Sequence, residues 1–290
     1  MDACANAVSR NSHWMARSLP SVVAMFTRSL LPLLLVSLVA NAACAAGRER
    51  VSEFDWKGPV RPGRMVEVSG LYGDIVVVPS MTLELRVHAR RHGLRDDPAQ
   101  VEVLVDNLGD RLRICTSRPG RGGACDPVPG YENVLDRDTD VDLRVELPLG
   151  CPLIARTTYG DLDLRNITAE VHAFTEQGKV RIETCRGGEI ATTNGEIEFV
   201  PGRMLSGQEL RLRSVNGRIR LDVPQDFDAT VDAHTGNGRV RESGPHLAHA
   251  GEGAVAPAGG VPRNGHWQFG EPHGRIRLET ENGDIELRPR

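Results

Sequence analysis

Among the carboxylates that stand two residues apart in this 290-residue chain are Asp161 with Asp163, and Glu196 with Glu198. On a strand such positions share a face, so each pair could supply the acid and base that polysaccharide cleavage needs. Basic pairs follow them in the chain, Lys179 with Arg181 and Arg218 with Arg220. A neighbouring cation lowers a carboxylate pKa, the wrong direction for a general acid. The reading is therefore not an enzyme, and no G-x-S-x-G, H-E-x-x-H or P-loop stands in the sequence.

Metal chemistry has two weak candidates. Asp136, Asp138, Asp140 and Asp142 have the opening spacing of a calcium loop, but Val141 replaces its sixth-position Gly and Leu147 its closing Glu. His246, His249, His266 and His273 cluster in a Gly/Pro-rich stretch where solvated histidines are the ordinary case. No cofactor or metal is expected. For sugar binding the candidates are exposed aromatics: Trp56, Tyr72, Tyr131, Tyr159, Trp267 and Phe269, with Trp267 and Phe269 the best placed. The competing role for that pair is packing the neighbouring loop onto the core. Arg218, Arg220, Arg239, Arg241, Arg275 and Arg277 could form a polyanion-binding stripe, against which stands a solvated charge ladder.

The elements carrying these residues follow from composition and repetition. Net charge is −4, which gives no basic footprint for nucleic acid. Aromatics are 4% against 31 glycines, a balance that suits short strands and tight turns. Residues 1–46 read as a signal-peptide region: Ser29–Ala40 is an apolar run too short to span a bilayer, Arg17 and Arg28 precede it, and small residues follow. Ala43-Cys44-Ala45 and Ala40-Asn41-Ala42 both fit a cleavage site, and Met25 reads as the true start. An uncleaved anchor is an alternative; a lipoprotein site at Cys44 is another, although Asn41 stands where it wants an aliphatic residue. The mature chain is expected to have no membrane span and to be exported, either periplasmic or at the cell surface or secreted. Four cysteines then remain in an oxidising compartment, Cys115, Cys125, Cys151 and Cys185. Of three pairings, Cys115–Cys125 closes a short Gly/Pro loop and leaves Cys151–Cys185.

The turn glycines Gly160, Gly178, Gly195, Gly217, Gly238 and Gly283 recur with a hydroxyl residue three positions earlier: Thr157, Thr175, Thr192, Ser214, Thr235 and Thr280. Two and four positions later come apolar residues, as in Ile197 and Phe199, with Glu242 the one exception. Gly73 resembles an isolated earlier copy. Alternation on both sides of a turn means two strands with one buried face. A period of 17 to 22 residues between Gly160 and Gly238 marks stacked coils, each too small to bury its own face. The hydroxyl column reads as a ladder at one corner. The fold class is therefore all-β, a β-solenoid of the single-stranded, right-handed, parallel β-helix kind, with less regular antiparallel strands toward the N-terminus. The alternative is a β-sandwich of hairpins, since Asn-Gly is also a hairpin signal.

Residues 47–150 read as an irregular N-terminal β segment of the same domain, and 151–290 as the repeat, interrupted at 243–267 by a mobile surface loop. Thr280–Arg290 reads as the closing coil, capped by Arg288, Pro289 and Arg290. Over roughly residues 50–290, "VDLRVELPLGCPLIARTTYGDLDLRNI" with repeated "NGxIxL" and a final "NGDIELR" resembles the bacterial putative-adhesin family of unknown function. That resemblance implies an exported adhesin-like β-solenoid with a role in adhesion and no catalytic motif. The partner would be a cell-envelope protein or a surface glycan. Further readings are a periplasmic scaffold or sensor-associated protein-binding domain, and a protein that binds or cleaves envelope polysaccharide.

Overall fold

The computed structural model describes residues 49–95, 97–117, 125, 139–183, 186–243, 250–255 and 260–290. The signal-peptide region with Met25, and Cys185, Asp136, Asp138, His246 and His249, lie outside the described residues. The described residues form an all-β unit within Ala45–Arg290. Its N-terminal strands are β1 (Arg50–Pro59), β2 (Met65–Ser69), β3 (Ile75–Ser80), β4 (Glu84–Gly93), β5 (Glu102–Asn107), β6 (Arg111–Ser117) and β7 (Thr139–Pro148). The repeats supply β8 (Leu153–Tyr159), β9 (Leu162–Arg165), β10 (Val171–Gln177), β11 (Val180–Glu183), β12 (Gly188–Asn194), β13 (Ile197–Val200), β14 (Glu209–Asn216) and β15 (Ile219–Val223). Then come β16 (Ala229–Asn237), β17 (Val240–Glu242), β18 (Ala250–Val255), β19 (Asn264–Phe269), β20 (Gly274–Asn282) and β21 (Ile285–Pro289).

These strands make two open mixed sheets. One has ten strands in the order β1-β4-β7-β3-β9-β11-β13-β15-β21-β17, and the other eleven in the order β18-β19-β16-β20-β14-β12-β10-β8-β2-β6-β5. The layering is that of a sandwich, but the repeated turns are not hairpins. Each one joins a strand of the larger sheet to a strand of the smaller: β8 to β9 through Gly160, β12 to β13 through Gly195. Each strand pairs in parallel with its counterpart in another repeat, β10 with β8 and β12, β11 with β9 and β13. Gly73 is a true copy of the turn, joining β2 to β3, which pair in parallel with β8 and β9.

Alternation along each strand sends every second residue inward. Leu162, Leu164, Val180, Ile182, Ile197, Phe199, Ile219 and Leu221 are buried, and one apolar cluster runs from Val60 to Leu287. Each fully buried side chain of this size contributes roughly 1.5–3 kcal/mol, so the stack rests on repetition rather than on any single anchor.

Stacking order departs from chain order at both ends. The strand pair β20–β21, expected to close the stack, lies inside it: β20 pairs with β14 and β16, and β21 with β15 and β17. Toward the other end, β2–β3 lies between β6–β7 and β8–β9. Antiparallel strands finish each end: β4 and β1 beyond β7, β5 beyond β6, and β19 and β18 beyond β16. The stretch 243–267, read from its composition as a surface loop, thus contributes paired strands. Gly265 and Trp267 of that stretch, alternating with Phe269 just beyond it, face inward and supply the reason.

Candidate functional site

The turn corner is built by close backbone approach. A Cβ placed on Gly195 would lie 1.8 Å from the Gly178 carbonyl oxygen, and one on Gly217 would lie 1.7 Å from that of Gly195. The contacts continue through Gly283 and Gly238, so the column runs Gly73, Gly160, Gly178, Gly195, Gly217, Gly283, Gly238. Glycine is required along the column because neighbouring turns touch; Gly73 and Gly160 also have positive φ, at 110° and 153°, while the other five need glycine for the close approach alone. The hydroxyls complete the corner. Thr175 Oγ1 donates to Gly160 O at 3.1 Å, Thr192 Oγ1 to Gly178 O at 3.2 Å, Ser214 Oγ to Gly195 O at 3.1 Å and Thr280 Oγ1 to Gly217 O at 3.0 Å. Thr157 and Thr235 make the same bond to Gly73 O at 3.3 Å and Gly283 O at 2.8 Å. A buried hydroxyl and a turn carbonyl thereby satisfy each other.

Beside this corner runs an amide ladder that sequence reading missed. Asn216 Nδ2 donates to Asn194 Oδ1 at 2.9 Å, Asn282 to Asn216 at 2.8 Å and Asn237 to Asn282 at 2.9 Å. The asparagine in each "NG" was the available signal. Tyr159 and Tyr72 extend the row, their rings stacked 5.1 Å apart.

The outer face of the ten-stranded sheet carries the charges. Opposite one another in register stand Asp163, Arg181, Glu198, Arg220, Glu286 and Arg241, strictly alternating in sign. Arg220 lies 2.5 Å from Glu198 and 3.4 Å from Glu196, Lys179 is 2.8 Å from Glu198, and Arg241 is 3.5 Å from Asp284. Asp163 is bound by Arg165, and Asp161 Oδ1 accepts the Lys179 backbone N–H at 2.7 Å. Burial pushes the Glu198 carboxyl up, but the Lys179 hydrogen bond and the charges of Lys179, Arg220 and Arg181 outweigh it and hold the pKa below the usual range. Glu286 follows the same logic: burial raises it, and the Ser243 hydrogen bond with Arg241, Arg288 and Arg220 brings it down. The carboxylate pairs are thus ladder elements. The six-arginine stripe does not exist as a surface, because Asp284 and Glu286 separate Arg218 and Arg220 from Arg239 and Arg241. Arg275 and Arg277 lie on the other sheet beside Asp232 and Glu209.

Trp267 is fully buried and Phe269 3% exposed, so neither presents a face to a glycan. The Trp267 indole N–H donates to Glu242, which explains the single acidic residue at an inward position of the repeat. Of the aromatics, Phe54 and Trp56 are half-buried on the end strand β1. Cys115 and Cys125 are disulfide-bonded. Cys151, expected to bridge to Cys185, is instead a buried free thiol that donates to Arg61 O at 3.4 Å. Burial raises its pKa, opposed by a backbone hydrogen bond from Gly63. Asp142 is held by the Asp74 N–H at 3.0 Å and by His92 at 3.2 Å, and His266 by Asp232 at 2.7 Å. Among the described residues no group of three or more His, Cys, Asp or Glu could hold a metal, and no helix is long and apolar enough to cross a membrane.

No family model matches the chain, and no curated protein does. Among solved structures, the chain is similar to a Clostridium sporogenes protein described as a putative cell adhesion protein. The identity is 11% and the TM-score 0.45, over 82% of this chain and 100% of that one. It is also similar to a putative adhesin from Bacteroides fragilis, at 10% identity and a TM-score of 0.35 over 82% and 97% of the two chains. A third, described as a putative adhesin from Parabacteroides distasonis, gives 9% and 0.28 over 81% and 97%.

Proposed function

We propose that this chain is an exported, non-enzymatic β-solenoid that presents stacked coils as an adhesin-like or cell-envelope interaction surface. The observation carrying the reading is the fate of its outward carboxylates. Glu198 and Glu286 are tied to cations of neighbouring coils and sit below the usual carboxylate pKa, which suits a rigid ladder and opposes general-acid chemistry. The parallel pairing of successive repeats supports the solenoid, and the handedness rule for parallel crossovers supports a right-handed one. Side chains locked along the stack lose little freedom on binding, which favours a preorganised surface.

The test is protease shaving of intact beside lysed cells, read with an antibody to the folded region. Loss of signal on intact cells places the protein outside and supports adhesion. Protection until the outer barrier is broken overturns the surface reading and leaves a periplasmic protein-binding scaffold. Cleavage or specific binding of an envelope polysaccharide by the purified protein would overturn the non-enzymatic, protein-directed reading.

A further inference from the structure

The ten-stranded sheet ends on β1, whose ten residues pair only with β4 among the described residues. Val60 N donates to Leu83 O at 2.8 Å, in the register that pairs Pro59 with Glu84. Antiparallel hydrogen bonding alternates along a strand. Gly58, Trp56, Phe54 and Ser52 therefore bond β4, while Val51, Glu53, Asp55, Lys57 and Pro59 turn their backbone groups to the open edge. A second contact agrees: the Glu53 carbonyl, aimed at that edge, accepts from the Arg91 guanidinium at 3.0 Å. An open edge of this length is a template for another strand.

Its residue order selects the occupant. We propose that a second copy of this chain pairs its own β1 antiparallel to this one, about a two-fold axis at Trp56. In that register Asp55, whose carboxylate His88 of its own chain also holds at 2.8 Å, faces Lys57 of the other copy, twice by symmetry. Shifting the pairing by two residues one way sets Asp55 against Asp55, although Lys57 then meets Glu53, and the other way sets Lys57 against Lys57, so the alignment about Trp56 is the one of the three that pairs opposite charges with no like pair. Glu53 meets Pro59. Its N–H has the Pro59 carbonyl to donate to, and its carbonyl, which Pro could not serve, is the one Arg91 already satisfies. Trp56 meets Trp56, and Phe54 meets Gly58, on the half-buried face. Within its own chain Lys57 lies opposite Arg86, a like charge whose carboxylate partners are Glu84 and Glu146. The second copy supplies the anion that Lys57 otherwise lacks on its strand. About six main-chain hydrogen bonds result, and the two ten-stranded sheets become one.

Light scattering and sedimentation of the purified protein across the micromolar range test this. The expected result is a concentration-dependent dimer. Lys57→Asp, which sets acid against acid between copies while gaining Arg86 within its own chain, weakens association at least about tenfold. Asp55→Lys combined with Lys57→Asp restores it. Lys57→Pro removes both the edge-facing N–H and the charge that meets Asp55, and abolishes the dimer with the circular dichroism spectrum unchanged. A wild-type monomer throughout the range overturns the proposal. So does a dimer that folded Lys57→Asp and Lys57→Pro variants leave intact.

Discussion

Arg220 lies directly opposite Glu286, a residue of the last strand, and not opposite Arg241 of the next repeat in the chain. Taken in chain order the outward residues read Glu198, Arg220, Arg241, Glu286, with two arginines adjacent. Inserting β21 between β15 and β17 restores strict alternation. Each opposite-charge pair is worth roughly 0.2–1 kcal/mol, and like charges directly opposite cost a similar amount. The ladder therefore favours the inserted order over the sequential one by both terms.

Glu286→Arg places a third cation between Arg220 and Arg241. It is expected to destabilise the fold by about 1–2 kcal/mol at low salt, with the loss shrinking as salt screens the more exposed partners. Urea midpoints measured at low and at high ionic strength check this; a midpoint equal to wild type would show that the ladder contributes nothing.

Acid should weaken the same ladder. Glu198 and Glu286 titrate below their ordinary value of 4.5 in the folded chain. The unfolded chain binds protons first as pH falls through 4.5, so stability is full above that value and declines as pH drops through the lowered folded pKa. Thermal midpoints between neutral and acid pH should show this decline, and the double substitution Glu198→Gln with Glu286→Gln should flatten it.

Gly195→Ala forces a Cβ to within 1.8 Å of the Gly178 carbonyl oxygen, where backbone on both sides leaves no room to yield. The expected cost is about 3 kcal/mol or more, at or beyond the upper end for overpacking. Gly207 has nothing within 4 Å of its would-be Cβ, at φ +79°. Gly207→Ala should cost only the left-handed backbone penalty, about 1–2 kcal/mol. Chemical denaturation of the two variants separates close approach from backbone strain.

Glu242→Ala leaves the buried Trp267 N–H without its carboxylate partner, and should cost about 1–3 kcal/mol. Trp267→Ala, which empties the end of the core, should cost about 3–5 kcal/mol. Both are read as shifts in thermal midpoint. Any loss of ligand binding in the second variant should track its unfolding, since the indole has no exposed face.

Ellman's reagent should leave Cys151 unreacted in the native protein and label it on unfolding, because the thiol is buried and its pKa raised. Reduction of Cys115–Cys125, which closes a loop over a separation of 10 residues, should lower stability by roughly 2–3 kcal/mol. Fast labelling of Cys151 under native conditions would contradict its burial.

What the sequence determined by itself was the content of each repeat. The Gly column, the hydroxyl three residues before it, the apolar pair after it and the alternating charges are all local, because strand and turn geometry imposes a period of two and a fixed offset from the turn. The same offsets carried the asparagine ladder, legible in every "NG" once the corner was known to stack. Which repeat touches which was decided only by tertiary structure. A strand pairing in parallel offers the same backbone edge to any neighbour of like length, so local pattern fits several orders equally. The arginine of 241 following that of 220 was the trace of the true order, but it acquires meaning only when Glu286 is seen between them. Trp267 and Glu242 belong to the same class. Each breaks a local rule, an aromatic in a Gly/Pro stretch and an acid at an inward position, and the two are reconciled by a contact between distant parts of the chain. Cys151 is a further case: that its thiol is buried and free is set by the packing around it, which cysteine spacing along the chain does not encode.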